Sequence, residues 1–121
     1  MIISVDDIIN FSQRLTQTEH YEVAREKWIS GDPKQQVKNH YSSPCGQFHA
    51  GIWQGDIGSW RVNYSEHEYC EILAGRCEIT DKTGNSISVG QGDRFVIPAG
   101  FSGIWKVIDT CKKVYVVFEQ K

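Results

Sequence analysis

Apolar and polar positions in this chain follow two different spacings. Over residues 4–15, SVDDIINFSQRL, the residues Val5, Ile8, Ile9 and Leu15 fall roughly on one face at helical spacing. Ser4 can cap the first turn, with Asp7 three residues on, so a short N-terminal helix is predicted. Beyond it the pattern changes to short runs: Gln47–Trp53, Ser59–Tyr64, Glu68–Leu73, Arg76–Asp81, Ser86–Val89, Arg94–Ile97, Gly103–Ile108 and Lys113–Phe118. Val37–Tyr41 reads as a further short strand, while Tyr21–Ile29 mixes polar and apolar positions before a Gly31-Asp32-Pro33 turn. The later breaks carry Gly, Pro, Asp or Asn, as in Gly55-Asp56, Ala74-Gly75, Thr83-Gly84-Asn85 and Pro98-Ala99-Gly100. Many short strands with such turns predict an all-β sandwich or barrel. Residues 1–20 are expected to form a helical extension and residues 21–121 one β domain.

Composition narrows the function classes. A chain of 121 residues with 40% hydrophobic and 12% aromatic content is expected to be one globular domain with a real core. A net charge of −2 leaves no basic surplus to draw nucleic acid or an anionic membrane. No apolar run approaches the roughly 18 residues of a membrane span. MIISVDDIIN carries acids where a signal peptide carries basic residues, so a cytoplasmic protein is expected. Cys45, Cys70, Cys77 and Cys111 form no C-x-x-C pair; they read as free, mostly buried thiols and not as a zinc knuckle.

The densest chemistry is EHEYC at residues 66–70. Glu68, six residues and then Gly75 are followed, sixteen residues later, by GDRFVIPAG at 92–100. This resembles the two-part signature of the cupins, G-x5-H-x-H-x3,4-E-x6-G and G-x5-P-x-G-x2-H-x3-N. SSPCGQFHAGIW (42–53), IGSWRVNY (57–64) and PAGFSGIWKV (98–107) extend the resemblance to small single-domain cupins, a group that includes ureidoglycine aminohydrolase-type and ethanolamine-utilisation cupins. The resemblance spans roughly residues 21–118. It implies a jelly-roll β-barrel with a pocket in its mouth, most often a homodimer.

The signature's metal ligands are a different matter. Its first two histidines fall on Val62 and Tyr64, or on Arg61 and Asn63; its last histidine falls on Gly103 and its asparagine on Val107. Of three His and one Glu only Glu68 remains, and one carboxylate cannot hold a transition metal that needs at least three protein ligands. No metal and no cofactor are expected, and the metal-dependent aminohydrolase activity is not carried over.

Strand alternation assigns the faces. With Glu68 inward, Tyr64, Glu66, Cys70 and Ile72 share its side, and His67, Tyr69, Glu71 and Leu73 face out. With Gly103 in the inward phase, Trp105 and Val107 follow it. The expected pocket is Tyr64, Glu68, Cys70 and Trp105, with Arg61 and Trp53 at the rim and space for a ligand group at Gly103. A desolvated Glu68 under Trp105 would have a raised pKa and could act as general acid or base, with Tyr64 donating a hydrogen bond. The competing structural readings are that Glu68 bonds backbone amides or Arg61, that Trp105 and Tyr64 are core residues, and that Cys70 is a small buried residue without a basic partner. His67 reads as a surface residue, His20, His40 and His49 show no metal spacing, and Lys112-Lys113 reads as a solvated edge that discourages strand addition.

Two functions remain open at this level. One is a metal-independent enzyme using Glu68 and Tyr64 in acid–base chemistry on a small polar metabolite; the other is a non-catalytic module that binds a small molecule through Trp105, Cys70, Arg61 and Trp53. A metal site rearranged onto Glu66, His67, Glu68 and Glu71 is disfavoured, since alternation divides these side chains between two faces.

Overall fold

The structure is a computed structural model and describes residues 2–13 and 15–121. Nine strands follow one another: β1 (Glu19–Tyr21), β2 (Trp28–Gly31), β3 (Gln35–Ser42), β4 (Phe48–Gly55), β5 (Gly58–Asn63), β6 (His67–Asp81), β7 (Ser86–Gly90), β8 (Arg94–Ile97) and β9 (Ser102–Phe118). All pair antiparallel in a single sheet that curls on itself. β6 and β9 lie side by side along most of their length, from His67 opposite Phe118 to Asp81 opposite Gly103. The other edge of β9 is shared by β4 and β5, and the other edge of β6 by β8 and β7.

Two expected breaks do not interrupt their strands. Ala74-Gly75 is a bulge inside β6 and not a turn: Gly75 has φ +85°, and the register against β9 slips on both sides of it. A Cβ at Gly75 would collide with the Thr110 carbonyl of β9, so only glycine lets the strands run this close. The stretch between Ile108 and Lys113 likewise continues as strand, which preserves the inward phase of β9 from Trp105 through Val107 and Cys111 to Lys113 and Tyr115. The tight turn at Gly84-Asn85 is present, with Asp81 Oδ1 accepting from the Thr83 and Asn85 amides at 2.9 and 3.0 Å.

The N-terminal helix is reduced to a 3-10 turn over Val5–Asp7. The expected cap is there, with Ser4 accepting from the Asp6 amide and Asp7 accepting from the Ser4 amide at 2.8 Å. The helix does not propagate, because Val5, Ile8 and Leu15 find no core to cover and stay exposed, and a short helix without packing is unstable in water. Arg14, within the predicted span, lies outside the described residues. His20, where the extension was expected to end, sits inside β1.

The core is built mainly from inward residues of β4, β5, β6 and β9 (Trp53, Trp60, Cys70, Ile72, Cys77, Ile79, Trp105, Val107, Cys111 and Tyr115), joined by Val89 of β7 and Ile97 of β8. Burying one Trp removes about 150–250 Å² from water, of order 4–6 kcal/mol at about 25 cal/mol/Å². Each of the three buried indoles therefore contributes more than any other single core side chain, and all three line the cavity at one end of the barrel. Among the described residues no helix is long and apolar enough to cross a membrane.

Candidate functional site

That end of the barrel opens into a cavity of about 450 Å³. Cross-strand register assembles its floor. Lys113 on β9 lies opposite Trp53 on β4, and Trp105 on β9 lies opposite Trp60 on β5. The Trp53 ring stands 6.2 Å from Trp60 and 6.0 Å from Trp105, edge-on to the latter. Lys113 Nζ is held over both faces, 4.3 Å from the Trp105 centroid and 4.8 Å from that of Trp53, within cation–π range. From β6, Glu68 Oε2 meets Lys113 Nζ at 3.1 Å. Lys113 is 5% exposed and Glu68 7%, so the pair is enclosed by protein on all but its cavity side.

Electrostatics fix the protonation of this floor. Burial depresses the Lys113 ammonium; the Glu68 carboxylate beside it reverses that and holds the ammonium above the ordinary lysine range. Burial pushes the Tyr64 phenol well above the usual tyrosine range against the pull of Lys113, with Glu68 adding to the rise, so Tyr64 stays a neutral donor. Burial likewise pushes the Cys70 thiol up to about 12, and it is no nucleophile at neutral pH.

The structure brings Glu68, Tyr64, Trp105, Trp53 and Arg61 to this cavity. Trp53 is part of the floor and not the rim, while Arg61 stands exposed at the mouth. Tyr64 lies in the β5–β6 connection, fixed by its amide donating to the Phe101 carbonyl at 2.8 Å and its own carbonyl accepting from the Gly100 amide at 2.7 Å. Cys70 shares the inward face but is fully enclosed and does not line the cavity, because the pleat sets it behind Glu68. Gly103 opens no space for a ligand, since a Cβ there would collide with the Thr80 carbonyl of β6. His67 is exposed and accepts from the Ala99 amide at 3.0 Å, parallel to the Phe118 ring. Glu68 is therefore neither an isolated desolvated carboxylate nor a partner of Arg61; its partner is Lys113.

Lys113 is the residue that sequence reasoning missed. It was assigned to a solvated edge, whereas counting inward positions in twos from Trp105 along one unbroken strand reaches it directly. Gln35, Trp60, Tyr21 and Tyr115 also line the cavity, and no periodic signal set them apart as pocket residues.

A curled antiparallel sheet with a polar site sunk into its mouth defines the chain as a cupin. More narrowly, residues 42–115 match the EutQ-like cupin domain, and the chain belongs to that family. None of the curated proteins matches it. Among solved structures, a DUF861-family protein of unknown function from Pseudomonas syringae pv. tomato DC3000 superposes with a TM-score of 0.76 at 20% identity over 87% of this chain; this chain spans only 45% of that one. The EutQ protein of Clostridium difficile gives 0.65 at 17% identity, covering 82% of this chain and 81% of that one. The cupin domain of Schizosaccharomyces pombe Cnp3 gives 0.62 at 15%, covering 71% and 65%. Identities this low show a common fold.

The cavity does not fit the divalent metal of the cupin signature. Its lining holds neither histidine nor cysteine, and among the described residues no three His, Cys, Asp or Glu side chains converge. The one floor carboxylate already faces an ammonium at 3.1 Å, so a metal ion would enter against a fixed positive charge.

Proposed function

We propose that this protein is a metal-independent cupin enzyme that moves a proton on a small carbonyl compound bound in the barrel mouth. The observation that carries the reading is the Glu68–Lys113 ion pair at the bottom of an open cavity. A buried ion pair gives little net stability over apolar residues of the same size, so stability alone does not explain its presence. Facing a cavity, it offers a proton acceptor and a fixed cation side by side. Glu68 takes a proton from the carbon beside the carbonyl; the electron pair moves onto the carbonyl oxygen, where Lys113 and the neutral Tyr64 donate hydrogen bonds. Where that carbon carries a hydroxyl, the proton returns to the former carbonyl carbon while the hydroxyl's proton passes to the first oxygen and its own oxygen becomes the new carbonyl; the product is an isomer, with no oxidant or cofactor consumed.

The mutual satisfaction of Lys113 and Glu68 also favours a second reading, a module that binds such a compound without turning it over. Glu68→Gln separates the two. On the enzymatic reading, exchange of the substrate's carbon-bound proton for solvent deuterium is abolished while the circular dichroism spectrum is kept. Wild-type binding without any exchange would leave the binding module as the correct reading.

A further inference from the structure

Trp53 Nε1 donates to Gln35 Oε1 at 2.9 Å in the cavity wall. An indole nitrogen donates and cannot accept. The amide oxygen of Gln35 must therefore face Trp53, which turns the amide nitrogen the other way. Gln35 is 9% exposed; its nitrogen makes no hydrogen bond among the described residues, yet it is not sealed from the cavity. The same indole carries Lys113 on its face, so one ring orients two donors. Lys113 has three N–H groups and one carboxylate partner, Glu68.

The floor is thus rich in donors and already balanced in charge. An anionic group pressed against Lys113 would also meet Glu68, whereas an uncharged oxygen meets donors without that repulsion. The pair's carboxylate in turn accepts from a hydroxyl next to that oxygen. Indole and phenol walls from Trp53, Trp60 and Tyr21 cover the carbon skeleton.

We infer that Gln35 is a ligand-binding residue and that the deep end of the cavity takes an uncharged hydroxy-carbonyl group, its carbonyl oxygen on Lys113 and Gln35 and its hydroxyl on Glu68. This deepens the acid–base reading above and rests on it for the chemistry, though not for the binding. Dihydroxyacetone and xylulose serve as probes, glycerate and xylonate as their anionic counterparts, and tryptophan fluorescence as the binding signal. The wild type gives a saturable change with at least one neutral probe and binds the matching anion at least tenfold more weakly. Gln35→Glu keeps the acceptor for Trp53 but removes the amide donor; it lowers affinity for the neutral probe about tenfold, the effect of one neutral hydrogen bond, and lowers Tm because it buries an added carboxylate. Gln35→Met lowers affinity equally and lowers Tm as well, because Trp53 loses its acceptor. Wild-type affinity in both variants, tighter binding of the anions, or no saturable change with either neutral probe would overturn the inference. Deuterium exchange on the same samples tests the acid–base reading separately: a Glu68→Gln variant that still exchanges refutes that reading and leaves the Gln35 site standing.

Discussion

Removing the charge of Lys113 tests the floor of the cavity most directly. Lys113→Met keeps an unbranched side chain one atom shorter, removes the ammonium from the Trp53 and Trp105 faces, and leaves Glu68 as an unpaired anion at 7% exposure. Breaking a buried pair in this way costs about 3–5 kcal/mol. For a domain of this size, 1 kcal/mol shifts Tm by about 4 °C, so the variant melts about 12–20 °C lower. The double variant Lys113→Met/Glu68→Met removes both charges and is expected within about 1 kcal/mol of the wild type. Urea unfolding of the wild type, both single variants and the double variant closes a cycle; with each single variant costing about 3–5 kcal/mol and the double variant near zero, the expected coupling is about 6–10 kcal/mol. A coupling below about 1 kcal/mol would mean that the pair is hydrated and that the floor is not the low-dielectric site argued above. The pH dependence gives a second check through its sign. In the wild type the folded Lys113 is raised above its ordinary value of 10.5, so its contribution is complete below that pH and is lost as pH climbs through the folded value. In Glu68→Gln, burial acts without a carboxylate to oppose it and depresses the ammonium, so stability rises with pH up to about 10.5, the opposite slope.

Two further outcomes follow from the packing. An aromatic disulfide thiol reagent at pH 8 should titrate only Cys45 in the native protein: it is exposed and its thiol is lowered by the Ser43 hydroxyl, whereas Cys70, Cys77 and Cys111 are enclosed and react only on unfolding; two or more fast thiols would contradict the enclosed β6–β9 core. Gly84→Ala, with φ +91° and open space around the site, should cost about 1–2 kcal/mol, while Gly75→Ala should cost clearly more because its Cβ also meets backbone carbonyls of β9; equal losses in urea unfolding would show that the bulge can relax.

How much of this was legible in the chain depends on the range of the force that decides each feature. Alternation within a strand is local, so it assigns Glu68, Cys70 and Ile72 of one strand and Trp105 and Val107 of another to the inward face without reference to the rest of the molecule. Turn chemistry is local too, and it located the Gly84 hairpin and the Ser4 cap. The same local reading fails in two places: at Gly75, where a glycine allows a bulge as readily as a turn, it divides β6, and across the polar Asp109-Thr110 pair it divides β9 after Ile108, which breaks the inward phase that leads from Trp105 to Lys113. The helical spacing of Val5, Ile8 and Leu15 was a correct pattern with no partner surface to hold it.

Residue order alone specifies an all-β barrel, its family signature, the absence of the signature's histidine ligands and the inward carboxylate at Glu68. What that carboxylate meets follows from the pairing of distant strands. Glu68 and Lys113 are 45 residues apart, on strands whose register is set by the bulge and by glycine at close approaches, and no one-dimensional pattern encodes that meeting. The charge of a lysine depends on its surroundings: in water it would be a solvated edge residue, and between two indoles and a buried carboxylate it becomes the fixed cation of a cavity floor.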